Sequence, residues 1–196
     1  MYDFKDPAGA ARWATIALYL FMATTLVSGA TLFVERRMDG VGALLEIPAL
    51  LALLLCYILV GRWIYRTNAN AHSFGTGGMS ITPGWAIGWF FIPIANLFKP
   101  YEGLEDSWRV SHEVGGLPDE ADSPLLRWWW GLWLARAFLG GLRALLTRAS
   151  APPLEGNYYV ILLAALVAVP LSLVLIRLMN RLTHAQNQAE AAGVFA

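Results

Sequence analysis

Four long apolar runs, separated by short polar stretches, set the pattern of this chain. Residues 13–34, 43–60, 126–146 and 158–176 are apolar almost throughout. They show neither the alternation of a half-buried strand nor the one-sided stripe of a soluble helix. A helix needs about 17–25 such residues to cross a hydrocarbon core of ~30 Å. The pattern therefore predicts an all-α polytopic membrane helix bundle with four transmembrane spans, built as a single domain over residues 1–196. Pro48 predicts a kink or a first turn in the second span, and Pro170 a kink in the fourth.

A fifth apolar run, P-G-W-A-I-G-W-F-F-I-P-I-A-N-L-F-K-P over residues 83–100, behaves differently. Its apolar part, residues 84–98, is too short to cross as a helix. Pro93 lies inside it and leaves the carbonyl of Trp89 without its helical partner. The run reads as a re-entrant or interfacial broken segment, covered by neighbouring helices. Trp85, Trp89, Ile92 and Asn96 fall on one stripe at helical spacing. The Asn96 amide is expected to serve the backbone groups that the break exposes. Gly84 and Gly88 form a small-xxx-small pair, a site for close approach of another backbone.

The flanking polar stretches are weaker signals. Residues 101–114 carry Tyr101, Leu104 and Trp108 on a narrow apolar stripe. Glu102, Glu105, Asp106, Arg109, His112 and Glu113 cover the rest, which predicts an amphipathic helix on the membrane surface. Glu105 and Arg109 are spaced to pair at i,i+4. Its acidic residues read as a solvated face before they read as a divalent-ion site. Residues 62–82 read as a polar, glycine-containing linker, with Asn68, Asn70 and His72 in a solvated turn. A single histidine without a carboxylate or a second histidine nearby does not make a metal site.

Composition narrows the class. The chain is 57% hydrophobic and 14% charged, against about 25% charged in an average soluble chain. The formal net charge is zero, so nothing points to nucleic acid. The one cysteine, Cys56, lies in an apolar run and reads as a small buried hydrophobe. Ser28-Gly29-Ala30 resembles a cleavage site, but the apolar run continues past it, which favours a retained span over a signal peptide.

Positive charge orients the bundle. With four spans and a broken segment that does not cross, one side holds Lys5, Arg12, Arg62, Arg66, Lys99, Arg109, Arg127, Arg177 and Arg181. The other holds Arg36, Arg37 and Arg148. This asymmetry places both termini in the cytoplasm. All nine tryptophans then fall at or near the cytoplasmic face and suggest an aromatic collar around the broken segment. Two charges lie within apolar spans. Glu46 is either a snorkelling residue or a buried partner for an arginine. Arg136, about 13 Å along the helix from Arg127, should turn inward toward Asn96, a freed carbonyl, Glu46 or water. As a buried tie it would join the third span to the broken segment. As a functional group it would contact an anion or a lipid headgroup.

The run R-W-I-Y-R-T-N-A-N-A and the later P-G-W-A-I-G-W-F-F-I-P-I-A-N-L-F-K-P-Y-E-G-L-E-D-S-W-R resemble the bacterial membrane family called domain of unknown function 4328. Trp63, Asn68, Trp85, Gly88, Trp89, Pro93, Asn96, Pro100 and Trp108 carry the resemblance. It implies the bacterial inner membrane and no assigned activity. From the residues themselves, no H-E-x-x-H, G-x-S-x-G, phosphate loop or cysteine cluster is found. No catalytic residue, metal ligand or cofactor is therefore assigned. Trp85, Trp89, Pro93, Asn96, Trp108 and Arg136 are the candidates for ligand contact or packing. The first reading is a non-enzymatic module binding membrane lipid, a partner membrane protein or a second copy of itself. An oligomeric transporter or channel subunit comes next. A lipid-modifying enzyme using Glu105, Asp106 and His112 comes last.

Overall fold

The computed structural model describes residues 2–31, 41–75, 77–117, 124–149 and 156–194; the side chains of residues 31, 41–46, 149, 156–158 and 194 are outside the description. The expectations for Glu46 and for the loop at residues 35–40 lie outside the described residues. Six α-helices follow in order: α1 Ala8–Thr31, α2 Val41–Ser73, α3 Pro83–Gly88, α4 Lys99–Val114, α5 Pro124–Ala149 and α6 Gly156–Val194. Two 3₁₀ turns, Trp89–Phe91 and Ala95–Leu97, link α3 to α4. No strand occurs among the described residues.

α1 and α2 pack as one hairpin and α5 and α6 as another, with α1 also packed along α6. The seam between α1 and α6 is made by small residues. Ala14, Ala17 and Ala168 are wholly buried, and a Cβ on Gly29 would lie 3.6 Å from that of Ala165. Close backbone approach of this kind holds helices together where lipid removes the hydrophobic drive to associate. The outer face of α2 is the reverse: Leu50, Leu51, Leu54, Tyr57 and Ile58 are all exposed. Such a stripe is a liability in water and ordinary against lipid.

α1, α2 and α6 are long and apolar enough to cross a bilayer. The expected third span is a helix of 26 residues, α5, but it does not join them on that measure. Four tryptophans and Arg127, Arg136 and Arg143 dilute its apolar content.

The largest departure from expectation is where the helices end. The second span was expected to stop near residue 60 and the fourth near residue 176. Instead α2 has 33 residues and α6 has 39, which makes them about 50 and 58 Å long. Each overruns a ~30 Å hydrocarbon core by some 20 Å or more. The overruns, the N-terminal segment and α4 form a second small bundle with a polar interior. Asn68 and Asn70 are therefore not in a solvated turn: both are buried on α2, with Thr67 beside them. These residues favour turns when their side chains must find backbone partners locally. Here other helices supply the partners, and the helix runs on.

Gln186 of α6 is the hub of that interior and is wholly buried. Its Nε2 donates to the Thr67 carbonyl at 2.7 Å and to Ser111 Oγ of α4 at 3.1 Å. Its Oε1 accepts from Asn70 Nδ2 at 3.0 Å. Asn70 also exchanges two bonds with the backbone of Lys5, donating at 2.9 Å and accepting at 3.1 Å. Asn68 donates to Ser107 Oγ of α4 at 3.3 Å. Four chain segments thus meet on three amides. Asp6 accepts from Asn187 Nδ2 at 3.3 Å, so both ends of the chain lie at this end of the bundle.

α4 is amphipathic as expected, but its inner face docks on α2 and α6 instead of facing lipid. Ser107, Trp108, Val110, Ser111 and His112 are buried there. Gly115 allows the close approach at its end: a Cβ would sit 3.2 Å from the Ala185 carbonyl oxygen of α6. The expected Glu105–Arg109 pair does not form. Arg109 donates to Asp106 at 3.1 Å and to the Gly78 carbonyl at 2.6 Å, pinning the loop before α3. Glu105 accepts from the Tyr101 hydroxyl instead. His72 likewise holds that loop, with Nε2 3.1 Å from the Ile81 carbonyl.

Replacing Gln186 by leucine removes three hydrogen bonds and strands buried partners, at a cost of about 1–3 kcal/mol. The Gln186→Leu variant should melt clearly below the wild type in detergent. Arg143→Leu, at an exposed position on α5, should melt with the wild type. Coincident melting curves for all three proteins would mean that the amide hub does not hold the second bundle together.

Candidate functional site

The broken segment begins with Pro83 at the first turn of α3, where its fixed φ and missing N–H suit a helix start. The helix lasts six residues and tightens into the 3₁₀ turn Trp89–Phe91. Pro93 does free the Trp89 carbonyl from α-helical pairing. That carbonyl is taken up locally, by the Ile92 N–H at 3.3 Å, and not by Asn96. The Asn96 amide oxygen is buried without a described partner, while its backbone N–H bonds the Ile92 carbonyl at 2.9 Å. The single stripe expected through Trp85, Trp89, Ile92 and Asn96 is therefore broken after Trp89.

The chain reverses at Ile94. Its φ of 66° and ψ of −60°, with the Ala95 N–H 2.7 Å from the Pro93 carbonyl, define a γ-turn of the strained hand. A β-branched residue rarely adopts positive φ. The turn pushes an apolar tip outward: Phe91 is 80% exposed and Ile94 76%, with Leu97 and Phe98 also exposed.

Behind the tip lies an aromatic wall. Trp85 and Trp89 stack with ring centroids 4.6 Å apart. A Cβ on Gly88 would come within 3.0 Å of the Trp85 ring, so this glycine admits a side chain of its own helix, not another backbone. Phe90 meets Trp133 of α5 edge-on at 5.8 Å. Trp130 stacks on Trp133 at 4.8 Å and meets Tyr101 of α4 at 6.3 Å. The expected collar is thus realised in part. Trp63 and Trp108 do not belong to it: both are wholly buried. The Trp63 indole donates to Thr183 at 3.4 Å, and Trp108 stacks on His112 at 4.2 Å.

Arg136 turns inward, but not to the broken segment. Its Nη1 lies 3.4 Å from the Ala164 carbonyl of α6, and its guanidinium lies over the Phe21 ring of α1 at 5.2 Å. It joins α5 to α6 and α1. The structure therefore stacks Trp85 on Trp89 behind the tip and puts Pro93 in the turn itself. It leaves Asn96 beside them, sends Trp108 to the core and keeps Arg136 apart.

Sequence reasoning missed the buried amides and serines. Two spacings marked them: Trp63, Thr67 and Asn70 at i, i+4 and i+7 continue one face of α2, and Ser107 and Ser111 share a face of α4. Among the described residues no cluster of histidine, cysteine or carboxylate side chains is placed to hold a metal ion.

An all-helical architecture with three helices able to cross a bilayer defines the class: a membrane-type helical protein. Within that class the family is shown. A family model described as a domain of unknown function, DUF4328, matches residues 23–184, and the chain belongs to that family. The match runs from within α1 to within α6, well beyond the residues that carried the resemblance. No curated protein and no solved structure matches the chain.

Replacing Ile94 by glycine removes a strained φ worth about 1–3 kcal/mol against glycine's entropic cost of about 0.5–1 kcal/mol. Because Ile94 is exposed, no core contact is lost. Ile94→Gly should melt at or above the wild-type temperature in detergent. A lower melting temperature would show that the side chain packs rather than projects.

Proposed function

We propose that the protein is a non-enzymatic, multi-pass inner-membrane module that engages lipid at the cytoplasmic face through the apolar tip and the aromatic wall behind it. The observation that carries this reading is the exposure of Phe91, Ile94, Leu97 and Phe98 along the short segment that reverses at the strained Ile94 turn. Large apolar side chains exposed along one short segment mark a membrane or partner contact. Aromatic side chains such as those of the wall suit the headgroup layer, apolar at one end and polar at the other. In this reading the tip dips into the cytoplasmic leaflet, α5 is the fourth span, and the polar second bundle hangs below the membrane.

The test places a single cysteine at Phe91 in a Cys56→Ala background and labels it with an environment-sensitive fluorophore in liposomes. The reading requires blue-shifted emission quenched by spin-labelled lipid. Emission typical of water would end it. Single cysteines at Ser73 and Glu113, before and after the segment, should both resist an impermeant thiol reagent in intact cells and both react after lysis. Labelling from opposite sides would mean that the segment crosses.

A second reading, an oligomeric transporter or channel subunit, is favoured by Arg136. The Ala164 carbonyl that it touches lies inside α6 and already has a helical partner. Removing the guanidinium therefore strands no acceptor, and its contact with the Phe21 ring is replaced by an aliphatic one. Arg136→Leu should match or exceed the wild-type melting temperature. A melting temperature unchanged in Arg136→Leu would point to function, and a lower one to a structural tie. Solute flux in liposomes that is lost in this stable variant would favour transport over the lipid-binding reading.

A further inference from the structure

On the flank between α1 and α6 lies a groove of about 550 Å³ that neither the aromatic wall nor Arg136 reaches. α1 lines it from Ala8 to Tyr19, and α6 from Asn180 to Asn187. These positions straddle the level where each helix passes from apolar to polar. The apolar run of α1 starts just after Arg12, and that of α6 ends just before Arg177. Trp13, next to the groove, is 60% exposed at the same level. A groove at that height opens into the headgroup layer of a bilayer.

Its chemistry is sorted along its length. At the membrane end stand the exposed side chains of Ile16 and Tyr19. In the middle, Arg12 and Thr15 of α1 face Asn180, Thr183 and His184 of α6. Arg12 and His184 have no carboxylate partner among the described residues. Thr183 already accepts from the Trp63 indole, which leaves its own proton to donate. Asp6 stands at the far end, where it bonds Asn187 and caps α1 through the Ala8 N–H. The middle of the groove therefore offers hydrogen-bond donors and the positive charge of Arg12 beside the small side chains of Ala8 and Ala11, with the larger apolar groups of Ile16 and Tyr19 at the membrane end.

We infer that this groove holds the phosphate of an anionic phospholipid, its headgroup between Arg12 and His184 and its acyl chains along Ile16 and Tyr19. Charge complementarity selects a net-negative headgroup, and the apolar wall selects a lipid over a soluble phosphate. The site shares no residue with the apolar tip and does not depend on the function proposed for it.

The test is native mass spectrometry of the full chain in mild detergent, with added dioleoyl phosphatidylglycerol or dioleoyl phosphatidylcholine. One phosphatidylglycerol should stay bound per chain, in preference to phosphatidylcholine. Arg12→Gln should weaken its retention about fivefold, the effect of one cation near an anionic lipid, and His184→Leu, which removes a hydrogen-bonding ring, should weaken it less. Arg12→Lys should restore most of it, which separates lost charge from lost fold. Arg62→Gln, which removes an exposed arginine of α2, should change nothing, and Ile94→Gly should bind as the wild type does. Equal loss in Arg62→Gln, or equal retention of the two lipids, would reduce the groove to general surface charge and overturn the proposal. Displacement of phosphatidylglycerol by inorganic phosphate at tens of millimolar would overturn the lipid assignment.

Discussion

The amide of Gln186 ties three helices together, and the arrangement of the rest follows from that tie. It reaches the Thr67 carbonyl and the Asn70 side chain on α2 and the Ser111 hydroxyl on α4. Asn70 extends the network to the backbone of Lys5. In a wholly buried site each of these groups would be costly alone. Together they satisfy one another, and only one relative placement of the segments does so. α4 is thereby fixed against α2 and α6, and the broken segment that precedes it is held at the same end of the molecule.

Two kinds of interior sit in series along α2 and α6. Toward the hairpin ends, packing is by small and aliphatic side chains, with alanines at the α1–α6 seam. At the other end, amides and serines replace them. The change matches the solvents involved. Lipid gives apolar side chains no reason to leave it, so tight backbone approach does the work there. Where water competes, burial of Trp63, Trp108, Leu178 and Leu182 supplies the drive, and the hydrogen bonds set the register. The strained turn at Ile94 lies between these regimes. Its backbone cost is met by the helices on either side, which hold both ends of the segment and leave the apolar tip outward.

The apolar runs were legible in the sequence because a bilayer imposes a simple demand: enough consecutive apolar residues to cross it. The all-helical class and the existence of the long helices could be read that way; Pro93 marked the break through its missing N–H, and the motif residues around it carried the family resemblance. The inward turn of Arg136 was legible too, since a charge cannot face lipid cheaply. Its partners were not, because the backbone carbonyl of Ala164 and the ring of Phe21 carry no sequence mark for an arginine 28 residues away or further.

What the chain did alone ends at residues such as Asn68 and Asn70. By local preference they belong in a turn, and their type alone reads as solvated. Only the tertiary structure makes them helical and buried, because Gly103 and Ser107 of α4, Gln186 of α6 and Lys5 arrive from three other places in the chain to take their hydrogen bonds. The same holds for the groove between α1 and α6. Arg12 and His184 lie at opposite ends of the sequence, each unremarkable on a helix surface. Their juxtaposition exists only because the two helices pack side by side. Span, break and class are one-dimensional properties set by solvent and backbone, whereas partners and sites depend on contacts between distant residues, and no local pattern records them.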